Sequence, residues 1–292
     1  MSCGFSPLRV EVQVLHHVAD MVRRAWSLIE VGLCTTPFLL TRYARRDQGR
    51  LPQSSFKQGL KSYLGARRSA TLRCIVRGKK LPRWGNLRTT KPFSADWGLD
   101  RGMPIDRYYA RHFFERHREY ITGDVLEVQH SLYTEQFGRN LSRADSVDID
   151  PRFKPTFVCD LARAEVIPPD SYDCFLLPFT LAHLRDLEGA LRTALRVVRA
   201  GGSILAVAPA LTPLVIEYPD YWRFSRDGLR ILLERVWSGC EITVDAYGNC
   251  LAVVAEMLGL AAEELSPPEL DVHDSRYPLL VTAVCRKLGG VK

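Results

Sequence analysis

The chain has no C-x-x-C pair. Its eight cysteines (Cys3, Cys34, Cys74, Cys159, Cys174, Cys240, Cys250 and Cys285) are scattered, and no Cys/His spacing suits a zinc site. The sequence therefore predicts neither a disulfide framework nor a metal centre. The cysteines read instead as small buried hydrophobes in a reducing compartment, as in Tyr-Asp-Cys174-Phe-Leu-Leu. A long hydrophobic run is also missing. The most apolar N-terminal stretch, residues 25–40, is broken by Glu30 and Pro37, which argues against a spanning helix. The opening Met-Ser-Cys-Gly-Phe-Ser-Pro has neither the positive stretch nor the apolar core of a signal peptide, so a cytoplasmic protein is expected. No internal repeat is visible. No G-x-G-x-x-G follows the first β-type run, which weighs against a dinucleotide or nucleotide-sugar enzyme.

What is present is an ordinary globular composition with an uneven charge. Of 292 residues, 46% are hydrophobic and 25% charged, which excludes a wholly disordered chain. Residues 1–100 hold 18 Lys/Arg and 6 Asp/Glu, a net of +12, whereas the other residues carry a net of −5. Two regions with different jobs are implied. We divide the chain into a basic, largely helical extension (1–82), a lead-in (83–104) and a domain (105–287). In the extension, Val14, Val18, Val22 and Trp26 recur at helical spacing before the basic Arg42, Arg45 and Arg46. That pattern fits either an accessory helix or a surface that docks on a membrane or a protein partner. No nucleic-acid module is recognisable, so nucleic acid is not the expected partner.

From Pro104 the pattern alternates. A helix is predicted to open at Pro104, with Tyr109, Phe113, Phe114 and Tyr120 on its apolar side. Seven β-type runs follow: 125–128, 146–149, 157–159, 172–177, 203–208, 241–246 and 278–285. Helices are predicted between them over 187–198, 227–236 and 251–258, the first stopped by Gly201-Gly202. Short apolar strands alternating with helices predict an α/β fold, a doubly wound, mostly parallel seven-stranded sheet covered on both faces.

Ligands in such a sheet bind beyond the carboxyl ends of the strands. The residues to inspect are therefore Gln129 to Thr134, Asp148 to Pro151, Asp160 to Ala162 and Pro178 to His183. Asp148 ends the second strand about 20 residues after the first. That placement suits a ribose diol, because one carboxylate can accept from two hydroxyls, but it also suits a turn former. Asp150, before Pro151, reads as a turn.

Together these stretches resemble a class I S-adenosylmethionine-dependent methyltransferase over roughly residues 105–287. The carriers are Val125-Leu126-Glu127-Val128, Ser146-Val147-Asp148-Ile149-Asp150, Val158-Cys159-Asp160-Leu161, Leu181-Ala182-His183-Leu184 and above all Leu195-Arg196-Val197-Val198-Arg199-Ala200-Gly201-Gly202-Ser203-Ile204-Leu205. Tyr221-Trp222-Arg223-Phe224-Ser225 before a helix resembles the small-molecule branch. Arg83 to Arg88, Asp100 to Tyr109 and Ala246 to Asn249 resemble, more narrowly, a bacterial subgroup linked to sugar or glycosyl-transfer pathways.

The resemblance implies S-adenosyl-L-methionine as cofactor and a small-molecule acceptor. The implied cofactor set is Glu127 and Gln129 with the loop after Val128, Asp148 on the ribose, Asp160 and Leu161 by the adenine, and Phe179. Thr180, Tyr221, Trp222 and Arg223 fall on the acceptor side, with His183 as candidate base. Asp106, Tyr108 and Tyr109 read either as a lid or as core. One departure stands out. The family's first loop is rich in glycine, and Gln129 stands at its first glycine position, where the backbone passes close to the cofactor. The sequence thus leaves two functions open: an active methyltransferase, or a binding or scaffold protein with a degenerate cofactor loop.

Overall fold

The computed structural model describes residues 85–289, and the basic extension (1–82) with its predicted helix lies outside them. The architecture belongs to a compact unit spanning Thr89–Lys292. Its elements are α1 (Ile105–Arg116), β1 (Thr122–Val128), α2 (Leu132–Phe137), β2 (Arg139–Asp148), β3 (Phe157–Val158), β4 (Tyr172–Pro178), α3 (Leu187–Val197), β5 (Val198–Pro209), α4 (Arg226–Val236), β6 (Cys240–Tyr247), α5 (Cys250–Met257), α6 (Pro267–Asp271) and β7 (Leu280–Lys287). The strands form one sheet in the order β3-β2-β1-β4-β5-β7-β6. The first five are parallel, and β7 runs antiparallel between β5 and β6.

The period of two along each strand builds two cores. Phe175 and Leu177 of β4, with Ile204 and Ala206 of β5, face α3 and α4, where Leu191, Leu229 and Leu233 are fully buried. The alternate residues Cys174, Leu176, Leu205 and Val207 face α1, where Tyr109, Phe113 and Phe114 pack. Truncating a fully buried aromatic such as Phe175 to Ala removes about 3–5 kcal/mol, a large share of a domain's net stability. Local chemistry sets the helix starts. Asp186 accepts from the N–H of Gly189 (2.9 Å), Ser225 from Gly228 (3.1 Å) and Asn249 from Ala252 (3.0 Å).

Three sequence expectations shift. The helix from Pro104 ends at Arg116, and Tyr120 belongs to a separate 3-10 turn. β2 starts at Arg139 rather than Ser146: its first six residues are all exposed and mostly polar, and Leu141 and Ala144 alone make no alternating hydrophobic signal. Gly201-Gly202 does not stop α3, which ends at Val197; both glycines lie inside β5. The β4 register skips from Tyr172–Val198 to Cys174–Ser203 there, so the pair forms a bulge. Gly201 takes φ +83°, and a Cβ on Gly202 would lie 2.7 Å from the Asp173 carbonyl. The five described cysteines are free thiols. Cys174 and Cys285 are buried as expected, whereas Cys250 is exposed.

Within this unit, the stretch 93–103 is strapped to residues 258–264. Phe93 donates to the Leu258 carbonyl (2.7 Å), Ala262 to Met103 (2.8 Å), and Arg101 pairs with Glu264. This strap fixes the first turn of α1 beside α5. Among the described residues no helix is long and apolar enough to cross a membrane, and no cluster of three or more His, Cys, Asp or Glu could hold a metal ion.

Candidate functional site

A cleft of about 930 Å³ opens beyond the carboxyl ends of the parallel strands. That volume is typical of small-molecule sites. The loop after β1 forms its floor. Gln129 donates its backbone N–H to the Val147 carbonyl (2.9 Å) and takes φ +72°, the region that favours glycine. The turn that a glycine would make is therefore made here by glutamine, at a local cost of roughly 1–2 kcal/mol.

Glu127 holds that loop closed. It is 1% exposed, and both oxygens accept: Oε1 from the Tyr133 N–H (3.1 Å), Oε2 from the Thr134 N–H (2.8 Å) and the Thr134 hydroxyl (2.7 Å). These are N–H groups of the first turn of α2, which a helix cannot satisfy internally. Burial pushes the Glu127 carboxyl up to about 7 against the pull of those donors. Glu127 lines the cleft, but its oxygens are occupied by the chain's own donors, so it shapes the site.

The ends of β2 and β3 supply the next wall. Asp148 Oδ1 accepts from the Asp150 N–H at 2.7 Å, and burial raises its carboxyl above the ordinary range. Asp150 caps the turn Pro151–Phe153, accepts from the Arg152 N–H at 2.9 Å and is held low by the Arg152 guanidinium. It is the turn former that the sequence suggests. Asp160 Oδ1 accepts from the Ala162 N–H (2.9 Å), while Leu161 is buried and joins the sheet core as well as the cleft wall.

Beyond β4, Phe179 takes φ +54°, strained for an aromatic residue, and the Arg107 guanidinium lies 4.2 Å from its ring centroid. Thr180 is nearly buried and donates to the Pro178 carbonyl (3.1 Å). His183 Nδ1 lies 2.9 Å from the Pro219 carbonyl, which can only accept. Nδ1 therefore carries the proton, and Nε2 is the basic nitrogen of the neutral ring.

The acceptor-side expectations divide. Tyr221 and Arg223 line the cleft, but Trp222 does not: its Nε1 donates to the Leu184 carbonyl (2.8 Å) and the residue is 42% exposed. Arg223 is committed to Asp220 and the Pro213 carbonyl, so its charge is already met within the loop. Of the proposed lid, Tyr109 is core, its hydroxyl donating to the Leu270 carbonyl (2.8 Å), while Asp106 reaches the cleft. Among the lining residues that a sequence reading misses are Arg107 and Glu256. The signal for Glu256 is faint: it is the lone charge in the apolar helix Cys-Leu-Ala-Val-Val-Ala-Glu-Met.

The strand order with an antiparallel β7 is the Rossmann-like methyltransferase fold. Residues 110–206 match a family model described as a methyltransferase domain. The match runs from α1 into β5 and takes in the loops after β1, β2, β3 and β4. The ubiquinone/menaquinone biosynthesis C-methyltransferase UbiE of Serratia proteamaculans is 40% identical over 65 residues, which are 20% of this chain and 26% of that protein. The chain thus spans about a quarter of that relative. Among solved structures, a SAM-dependent methyltransferase from Archaeoglobus fulgidus is 15% identical, covering 62% of this chain and 94% of its own, with a TM-score of 0.43. An S-adenosylmethionine-dependent methyltransferase from Mesorhizobium loti is 16% identical, covering 65% and 100%, with a TM-score of 0.42.

Proposed function

We propose that the chain transfers the methyl group of S-adenosylmethionine to a small-molecule acceptor. The observation that carries this reading is the backbone of Gln129. With φ +72° it keeps the open turn between β1 and α2, so the cleft beside Asp148 stays large enough for a nucleoside cofactor. The other residues fit the same group. Asp148 spends one oxygen on the Asp150 N–H and would hold the ribose hydroxyls with the other. Asp160 and Leu161 would border the adenine, and Phe179 the methionyl end. When bound, the cofactor supplies a methyl activated on a sulfonium. The protein then chiefly aligns the acceptor with it, a gain of positioning rather than of covalent chemistry. His183 Nε2 can accept a proton from an acceptor that must lose one. Sugar-linked acceptors remain our narrower suggestion, resting on the stretches 83–88, 100–109 and 246–249 alone.

A second reading has its own observation. A side chain now sits on the cleft wall at the left-handed turn after β1, and an inactive scaffold would tolerate it. Calorimetry with S-adenosylmethionine and S-adenosylhomocysteine separates the two. Micromolar binding by the wild type supports methyl transfer. No binding by the wild type, with binding restored by Gln129→Gly, establishes the scaffold.

A further inference from the structure

On the stretch of the cleft lining made by α1 and α5, two acids, Asp106 and Glu256, share one cation. Glu256 is 1% exposed. Its Oε2 accepts from the Asp106 N–H at 3.3 Å, anchoring the start of α1, but its Oε1 has no partner. Asp106 likewise keeps a buried Oδ1 without a hydrogen bond. The nearby cation is Arg107, whose Nε stands 4.0 Å from Asp106 and whose guanidinium is shared with the Phe179 ring and the Tyr133 hydroxyl (3.5 Å). One guanidinium thus serves two carboxyls at a distance. Burial raises both carboxyls above their ordinary range, Glu256 to about 8. Buried polar atoms are satisfied as a rule, and an orphan pair on a cleft wall marks a place for a ligand.

We propose that Asp106 and Glu256 form a subsite for an organic ammonium group carried into the cleft. A protonated amine has the N–H donors that both oxygens lack, and adds the positive charge that Arg107, 4.0 Å from Asp106 Oδ1, supplies only at a distance. An ammonium can come from two sources, the amino-acid end of the cofactor or an amine on the acceptor. The subsite rests on the methyl-transfer reading only for the first of these. Arg107 and Phe179 would close its outer side, so the group it takes is compact.

The test uses the full chain and three probes in Glu256→Gln and Asp106→Asn. S-adenosylhomocysteine carries the amino-acid end, 5′-methylthioadenosine is the matching nucleoside without it, and n-butylammonium is a minimal amine with n-butanol as its neutral control. Loss of roughly 10- to 100-fold in S-adenosylhomocysteine affinity, with methylthioadenosine unchanged, assigns the subsite to the cofactor; this is the factor of one charge-assisted hydrogen bond. Unchanged nucleoside binding, with a saturation-transfer NMR signal for butylammonium that both variants lose and butanol never shows, assigns it to the acceptor. If neither S-adenosylhomocysteine preference nor butylammonium binding changes, the proposal is overturned. A wild type that binds neither nucleoside defeats the methyl-transfer reading instead, and the butylammonium arm, run without cofactor, still decides this one. Asp106→Asn leaves in place the Asp106 N–H bond to Glu256 that anchors the start of α1, so it carries the test where Glu256→Gln fails to fold.

Discussion

The cleft has two acidic walls whose carboxylates differ in burial and in how they are partnered. At the ends of β2 and β3, Asp148, Asp150 and Asp160 each accept an N–H two residues further along the chain. Each is tied down locally, in a turn that its own residue type favours. On the α1–α5 wall, Asp106 and Glu256 are 150 residues apart in sequence and meet only through the fold, each with one buried oxygen that accepts no hydrogen bond, that of Asp106 facing Arg107 Nε at 4.0 Å. A carboxylate satisfied by its own turn keeps its place without ligand. One left unpaired in a buried wall is costly until a counter-charge arrives. The first wall therefore belongs to the scaffold with a site attached, and the second depends on the ligand.

Asp148→Ala tests this contrast with the largest effect. Only its second oxygen is open to a ligand, and losing two charge-assisted hydrogen bonds to a ribose diol costs a hundredfold or more in S-adenosylmethionine affinity. The melting temperature should move little, since Asp148 is half-exposed and only one turn N–H loses its partner. Calorimetry and thermal melts on the same variant check both halves. Equal affinity for wild type and variant would remove Asp148 from the site.

The second wall should show itself in pH dependence. Burial, with the Asp106 charge adding to it, pushes the Glu256 carboxyl of that wall up to about 8, and burial pushes Glu127, under the loop after β1, up to about 7. A raised carboxyl contributes stability that is fully present below its unfolded pKa, about 4.3, and lost as pH rises through the folded value. The ligand-free domain should accordingly lose stability between roughly pH 5 and 8, on the order of a few kcal/mol, or roughly 5–10 °C in Tm. Glu256→Gln should flatten the upper part of that fall. Saturating amine or cofactor should flatten it too if a counter-charge reaches the pair. A pH-independent Tm in the wild type would show that both carboxyls keep ordinary values.

Asp160→Ala is smaller and purely local. It removes one N-cap bond to Ala162, worth about 1 kcal/mol, and leaves the α1–α5 wall untouched. Urea melts should show that loss without any change in slope.

The difference between the walls also governs what a sequence can reveal. Asp148, Asp150 and Asp160 are legible because strand, acid and turn are contiguous, and the buried alternation of Cys174-Phe175-Leu176-Leu177 gives β4 directly. The first half of β2 is not legible, because an exposed polar strand resembles a loop. Glu256 is hidden for another reason: nothing near it in sequence tells that α5 lies against the first turn of α1. Trp222 misleads in the opposite sense. Its aromatic-basic setting suggests a pocket wall, but the Leu184 carbonyl captures its indole and turns it away.

Gln129→Gly, between the two walls, should have the smallest effect on stability and the most telling one on binding. Glycine relieves the left-handed strain at φ +72°, about 1–2 kcal/mol, and adds freedom to the unfolded chain, which takes back about 0.4–1 kcal/mol. The two nearly cancel, so Tm should stay within a few degrees. Affinity for S-adenosylhomocysteine should rise severalfold if the glutamine side chain competes for the cleft, and stay unchanged if it only borders it. A rise confined to Gln129→Gly, with the amine preference of the α1–α5 wall intact, would show that the two walls act independently. A rise that also erases the preference would show that the loop after β1 sets how deep the ligand sits, and hence whether its ammonium reaches Glu256 at all.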